Sequence, residues 1–481
     1  MAVKRPNLLL ILTDHWRGDS LGRLGHPVVE TPHLDGLSAQ GATFTHAYTP
    51  SPTCVPARRS LMTGMTPNSA GMVGYADGKP WEYEHTLAGE LAKNGYQTMN
   101  VGKTHFHPDR LRLGFHELVL REEYDQWIDA EIGTPGAKVA HGVTHNSWHA
   151  RPSHLPEHQM EESWLVGRAI ELLGKRDPTL PFFLCLSLNG PHPPWCPPQA
   201  YFDMFINRDM PEPAVGEWAQ KHEVEAAQPV TVGAWRGRVS DRAMHRTRAA
   251  YFAYMAYVDA QIGRMFDYMG TLLDDCMVIF TSDHGEMLGD HNLWRKSYAY
   301  EPSARVPLIV RPPIDQSQFS SIREDTSNLE TVDWITSPHN IELEQVVGLE
   351  DVMPTLLDAA GLPIPETVEG RSLMPLVRGE ETPWRDYYHL EHAPCYHPEN
   401  AHQSLTDGKW KYIWNPVTGE EQLFNLEDDP NECVELASRP DHESEVARWR
   451  QRLVKELEDR PEGLSDGERL TPGRITAWRD D

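Results

Sequence analysis

The sequence lacks any run of eighteen apolar residues, so it holds no stretch that reads as a membrane-spanning helix, which needs roughly 20. Cysteine is scarce: six in 481 residues, none closely paired. That spacing excludes a disulfide framework and fits free thiols in a reducing compartment. Cys185 and Cys276 fall inside apolar, strand-like runs and read as inert core residues. Positive charge is scarce too. Against 71 Asp and Glu stand 44 Lys and Arg, a net charge of −27 that argues against nucleic acid as a partner. The same charge repels anionic ligands at long range, so any anion site must be positive locally. Internal repeats are absent. The apolar run over 8–12 is too short for a secretory signal, and the expectation is a cytoplasmic protein with no membrane partner. A homo-oligomer is left open.

What is present is a rhythm of strands and helices. Asn7-Leu-Leu-Leu-Ile-Leu-Thr13 is continuously apolar and ends in Asp14, as in a central parallel strand buried on both faces. Thr31 followed by Pro32 marks a helix start, predicting a short helix over 31–40. A helix also follows Cys54. Further helices are predicted over 85–94, 161–174, 246–269 and 349–360, with strands over 96–102, 181–188, 276–281 and 306–310. Residues 121–157 read as a loop region rich in aromatics and histidine, and 195–243 as an insertion rich in Pro, Trp and charge. The alternation implies an α/β fold: a large, doubly wound, mostly parallel sheet with helices on both faces, over 1–382. Short strands over 387–390, 409–414 and 422–425 and a helix over 443–457 then predict a small C-terminal α+β subdomain. It spans 383–481, carries an antiparallel sheet and is expected to close over the active site.

Ligand sites in open α/β sheets lie beyond the carboxyl ends of the strands. Polar groups collect at those ends here: Asp14-His15, Lys103-Thr104-His105, Asn189-Gly190-Pro191-His192 and Asp283-His284-Gly285-Glu286, with Lys296 in the loop after the last. Any one of them alone reads equally well as a surface turn. Cys54 stands between Pro52 and Pro56, which restrict the backbone on both sides. Pro56 suits the first turn of a helix, and a helix N-terminus beside Arg58 is an anion site. On local physics alone, Cys54 is as well explained by a small buried thiol.

Cys54-x-Pro56-x-Arg58, followed by Thr63-Gly64, resembles the signature of the type I sulfatases, within the alkaline phosphatase superfamily. The resemblance extends in order through the acidic motif at Asp14, Gly102-Lys103-x-His105, Pro191-His192 and Asp283-x-Gly285-Glu286. Leu405-Thr-Asp-Gly-Lys-Trp-Lys-Tyr412 and Leu423-Phe-Asn-Leu-Glu-Asp-Asp-Pro430 resemble the family's small terminal domain. It implies that Cys54 is oxidised by a maturation enzyme to Cα-formylglycine, whose hydrate is the nucleophile, and that the substrate is a sulfate ester, a small molecule or a glycan. By motif, Asp14, Asp283, His284 and residue 54 would bind one divalent cation. Arg58 would hold the aldehyde hydrate, and Lys103 and Lys296 would grip the sulfate oxygens. His192, jointly with Lys296, would protonate the leaving oxygen. His105 would deprotonate the second hydroxyl, expelling sulfate.

One departure concerns the metal. Where the family commonly has a second acidic residue, this chain has His15. A set of Asp14, His15, Asp283 and His284 suits Mn²⁺ or Zn²⁺, whereas calcium prefers oxygen ligands. We rank calcium first, with His15 then only lining the pocket. His392, near the start of the small subdomain, reads equally well as a substrate contact and as an ordinary surface residue. His141, His145 and His149 have i, i+4 spacing, but Gly142 makes a poor helix, so pocket-lining loop residues are favoured over a separate zinc site. The leading activity is hydrolysis of an O-sulfate ester, on a sugar by its wealth of Trp and His. The alternatives are a phosphonate monoester or phosphodiester hydrolase with the same nucleophile, and a non-catalytic binder of sulfated ligand.

Overall fold

The computed structural model describes residues 5–223, 233–314, 340–473 and 475–479. Among these residues, fourteen strands make three sheets, joined by helices. In chain order the strands are β1 (Asn7–Thr13), β2 (Ala42–Phe44), β3 (Ala47–Tyr48), β4 (Gln97–Gly102) and β5 (Glu117–Val119). Then come β6 (Phe182–Ser187), β7 (Cys276–Ser282), β8 (Leu308–Arg311), β9 (Ile341–Leu343) and β10 (Val347–Gly348). The last four are β11 (Tyr388–His392), β12 (His402–Thr406), β13 (Trp410–Trp414) and β14 (Glu421–Asn425).

The main sheet has eight strands in the order β5-β4-β6-β1-β7-β8-β2-β9. Among the described strands of this sheet, only β8 runs against the rest, pairing antiparallel with β7 and β2. The all-apolar run of β1 has a direct cause. Leu9 and Ile11 enter the core on one face while Leu8, Leu10 and Leu12 enter the core on the other, and all five are fully buried. Full burial of each such side chain contributes about 1.5–3 kcal/mol, so this strand can tolerate no polar face. The doubly wound, mostly parallel α/β sheet read from the sequence is the one observed. No described helix is long and apolar enough to cross a membrane.

Helices cover both faces: α1 (Pro32–Ala39), α2 (Cys54–Thr63), α3 (Leu87–Lys93), α4 (Arg121–Ile132), α5 (Glu161–Lys175), α6 (Gln199–Phe205) and α7 (Asp241–Met269). The region 121–157, expected to be loop, opens with α4. Tyr124, Trp127 and Ile128 fall on one face at helical spacing, and the Glu123 carboxylate accepts from the Leu120 amide at 2.6 Å, capping the start. Gly133, at φ 75°, ends it. Part of the expected insertion over 195–243 lies outside the described residues, and α6 occupies its beginning.

The third sheet is antiparallel in the order β11-β12-β13-β14, followed by the helix Glu443–Glu456. Strand β12 escaped the sequence reading because His402-Gln-Ser-Leu-Thr406 carries no apolar alternation, yet every one of its residues is buried. Its polar side chains are absorbed by their neighbours instead. Gln403, for example, donates to Glu391 at 3.2 Å and its Oε1 accepts from His389 Nε2 at 2.7 Å.

Candidate active site

The carboxyl ends of four adjacent strands deliver the polar groups to one place. Thr13 ends β1 and hands on to Asp14 and His15; Ser282 ends β7 and hands on to Asp283 and His284. Gly102, at φ 107°, ends β4 and turns Lys103 inward; a Cβ there would lie 1.9 Å from the Ser187 carbonyl oxygen, so only glycine fits. Past β6, Asn189-Gly190-Pro191 brings in His192. Helix α2 arrives from the other side with Cys54 at its first position and Arg58 one turn later on the same face. All ten residues of α2 are buried, which is why its arginines face protein rather than water.

Around Cys54 the contacts are short. Its Sγ lies 3.1 Å from His284 Nε2, 3.7 Å from Asp14 Oδ1 and 3.2 Å from the Lys296 ammonium. Arg58 donates to Asp283 Oδ2 at 2.8 Å, to Ser187 Oγ at 2.8 Å and to the Lys103 carbonyl at 3.0 Å. Lys103 donates to Asp14 Oδ2. Asp14, His15, Asp283 and His284 are all fully buried. Burial raises the Cys54 thiol pKa, as does Asp14, but Lys103, Lys296 and His284 outweigh them and bring it below the ordinary thiol value. Burial likewise opposes ionisation of Asp14, and the surrounding Lys103, His192, His15 and His284 overcome it, holding the carboxyl well below its usual range.

The imidazoles share a device. Nδ1 of His284 donates to the Gly285 carbonyl at 2.9 Å, and Nδ1 of His192 donates to the Pro193 carbonyl. A carbonyl can only accept, so both rings are fixed with the Nε2 lone pair free to face the site. Burial keeps His192 neutral, well below the ordinary histidine pKa. His105 is also held low, first by burial and then by Lys103 and Arg58, and its Nδ1 is buried with no hydrogen-bond partner.

Two expectations change. The Mn²⁺ or Zn²⁺ set counts His15 among the metal ligands, but its Nδ1 is 2.7 Å from Glu286 Oε2 and its Nε2 is 2.7 Å from the Lys296 ammonium. Both nitrogens are committed, and the donors that converge are those of Asp14, Cys54, Asp283 and His284, all within 4.8 Å of one another. A second group, Asp14 with His15 and His192, has Lys296 already against its His15 nitrogen. His392, expected to touch substrate or lie at the surface, is fully buried: its Nδ1 donates to the Ala393 carbonyl and its Nε2 accepts from Thr53 Oγ1 at 2.9 Å. It holds the residue before Cys54 and has no atom left for a ligand. Among the described residues, no metal-ligand group includes His141, His145 or His149. His145 instead stacks on His192 with ring centroids 5.0 Å apart, in line with a loop residue that lines the pocket.

Sequence reasoning gave Glu286 no role of its own. It is fully buried, anchors His15, and accepts from the amides of Leu288 and Arg295. The signal available was its position beside Asp283-His284. Beyond His192 opens a cavity of about 110 Å³ lined by Asn189, His145, His141, Arg121, Lys138 and Tyr124 among others.

Comparison with known proteins agrees with this geometry. The family model described as Sulfatase matches residues 6–362, and the one described as N-sulphoglucosamine sulphohydrolase, C-terminal, matches 331–459. An arylsulfatase of Clostridium perfringens is 37% identical over 492 residues, covering 98% of each chain. A choline-sulfatase of Rhizobium meliloti is 30% identical, covering 92% of this chain and 84% of its own. Among solved structures, a phosphonate monoester hydrolase of Agrobacterium radiobacter superposes with a TM-score of 0.77 at 26% identity, covering 94% of this chain and 95% of that one. A strand-end cluster built around a helix-borne Cys54, inside a family match that spans most of the chain, makes this protein a member of the sulfatase family of the alkaline phosphatase superfamily and a sulfuric ester hydrolase.

Proposed function

We propose that the chain hydrolyses O-sulfate esters of a carbohydrate, using a formylglycine made from Cys54 and one divalent cation. The observation that carries this reading is the convergence of the Asp14, Cys54, Asp283 and His284 donors at the start of α2, among three cations. The donor set fits a metal: Asp283 Oδ1 is buried without a hydrogen-bond partner, while Oδ2 of the same carboxylate is held by Arg58. With residue 54 as an oxygen donor and His15 outside the set, one imidazole and oxygen ligands remain, which supports calcium ahead of Mn²⁺ or Zn²⁺. Bound there, the cation would neutralise charge on the sulfuryl oxygens and make the hydrate more acidic.

The chain's own residues supply the rest. Lys103 and Lys296 balance the sulfuryl oxygens, and Arg58 holds residue 54 in place. His192 is neutral with an unprotonated Nε2, so it accepts a hydrogen bond from the substrate, and the proton for the leaving oxygen comes from the Lys296 ammonium. This sharpens the expected sharing between them. His105, neutral and with a free Nδ1, takes the proton whose loss releases sulfate. The leaving group occupies the cavity beyond His192, where polar and aromatic side chains suit a sugar.

We also propose the division into 1–382 and 383–481, the second part closing over the site. What supports it is the start of the third sheet at Tyr388 and the His392–Thr53 hydrogen bond behind Cys54. Six free cysteines support a reducing, cytoplasmic setting. The runner-up, a phosphonate monoester hydrolase, is favoured by the structural likeness to such an enzyme. Turnover of 4-nitrophenyl sulfate and of a phenyl phosphonate ester by one converted preparation separates the two. Faster sulfate hydrolysis is expected, and faster phosphonate hydrolysis would replace the first reading.

A further inference from the structure

The same four side chains have a second property while residue 54 is still cysteine. Their inner atoms are spaced like ligands: Cys54 Sγ to His284 Nε2 3.1 Å, Sγ to Asp14 Oδ1 3.7 Å, His284 Nε2 to Asp14 Oδ1 3.5 Å and His284 Nε2 to Asp283 Oδ1 3.6 Å. Zinc bonds of 2.0–2.3 Å in a tetrahedron put its ligands about 3.3–3.6 Å apart. Calcium bonds near 2.4 Å at right angles give about 3.4 Å, so spacing alone does not choose between the metals. The sulfur does. A thiolate is a soft donor that zinc takes readily, and calcium demands oxygen.

The outer atoms are fixed as a metal site requires. Lys103 holds Asp14 Oδ2, Arg58 holds Asp283 Oδ2, and the Gly285 carbonyl holds His284 Nδ1. Each leaves one donor atom pointing inward, and Asp283 Oδ1 has no other partner. All four residues are essentially removed from water.

We propose that the unconverted, Cys54 form of this protein is a closed four-ligand zinc site, and that conversion of the cysteine abolishes it by replacing the only sulfur donor. Zinc binding exchanges the thiol proton for a Zn–S bond, with no oxidant involved. In the thiol form the metal also occupies Sγ, so bound zinc shields the thiol from alkylation. Only the loss of the site on conversion rests on the formylglycine reading; the zinc site itself does not.

The test uses full-length protein made without a maturation enzyme, its thiol confirmed by mass and its metal removed. Zinc and calcium are titrated by calorimetry, and cobalt(II), as a zinc surrogate, by absorption. One zinc per chain, bound at least 100-fold more tightly than calcium, and a thiolate-to-cobalt charge-transfer band are expected. Cys54→Ser should lose the band and that affinity. Zinc binding no tighter than calcium, or a band that survives Cys54→Ser, would overturn the proposal. Should Cys54→Ser fail to fold, zinc must slow alkylation of Cys54 in the wild-type chain, read by peptide mass; unchanged alkylation would overturn it equally. A positive zinc result alongside a converted protein inert to sulfate esters would break the sulfatase reading and leave the zinc site standing.

Discussion

Two buried charge clusters in this molecule look alike and behave differently. One is centred on Lys411 of β13, fully buried, with its ammonium 2.6 Å from Glu301 Oε1 and 3.0 Å from Glu432 Oε1 and Tyr48 beneath it. Glu432 Oε2 accepts from the Glu301 amide at 2.7 Å, and Arg305 lies 3.3 Å from Glu301 Oε2. Each carboxylate oxygen lies within 3.3 Å of a cation or an amide, Glu432 Oε1 through its ion pair with Lys411 alone, and the cluster ties the third sheet to the segment after Lys296; Glu432 Oε1 and the Tyr48 hydroxyl make no hydrogen bond. The other surrounds Cys54. It leaves Asp283 Oδ1, His105 Nδ1 and Arg58 Nη2 buried without hydrogen-bond partners. Orphaned buried polar atoms are costly, about 1–3 kcal/mol each, and a fold keeps several together where a ligand is to satisfy them. The difference lies in where the orphaned atoms sit: Glu432 Oε1 has the Lys411 ammonium 3.0 Å away, whereas Asp283 Oδ1 is one of the converging donors around Cys54.

Substitutions in the two clusters should therefore separate stability from activity. Lys411→Met strands two buried carboxylates and should cost about 3–5 kcal/mol in denaturant unfolding, with kcat per folded molecule kept. Lys296→Met should do the reverse, lowering kcat on sulfate esters roughly 10²–10³-fold with a small change in unfolding midpoint. Equal loss of stability from both would erase the distinction. Glu286→Gln removes the charge behind His15 and should lower kcat about 10–100-fold, more for alkyl than for nitrophenyl sulfates, if Glu286 acts by holding Lys296 to its task. A uniform loss across leaving groups would assign it to structure alone.

The smallest effect concerns pH. Glu162 is buried, accepts from the Gly190 amide at 3.0 Å and from Tyr254, and its pKa is pushed up to about 7, by burial and then by Glu161. With the folded value raised, its contribution is full below the ordinary glutamate pKa and is lost as pH rises through about 7. Glu162→Gln should flatten the fall in Tm between about pH 5 and 8, an effect on the order of 1 kcal/mol. An unchanged slope would remove Glu162 as its source.

The site was legible wherever a residue's place follows from local pattern. Apolar runs announced β1, β6 and β7, and Asp14, His192 and Asp283 follow at their ends; Pro52 and Pro56 announced the fixed start of α2. What could not be read depended on partners remote in sequence. His15 looked like a ligand because it follows Asp14, and only Glu286, 271 residues away, turns its ring elsewhere. His392 looked exposed at the head of the third sheet until Thr53, 339 residues back, claimed its Nε2. Strand β12 is buried through polar pairing that carries no hydrophobic signature.

The most direct test is peptide mass spectrometry across residue 54, paired with 4-nitrophenyl sulfate turnover, on protein made with and without a formylglycine-generating enzyme. The account predicts that turnover rises in proportion to the aldehyde fraction and vanishes in the pure thiol form. Full conversion without sulfate hydrolysis, or equal hydrolysis by the unconverted thiol, would contradict it.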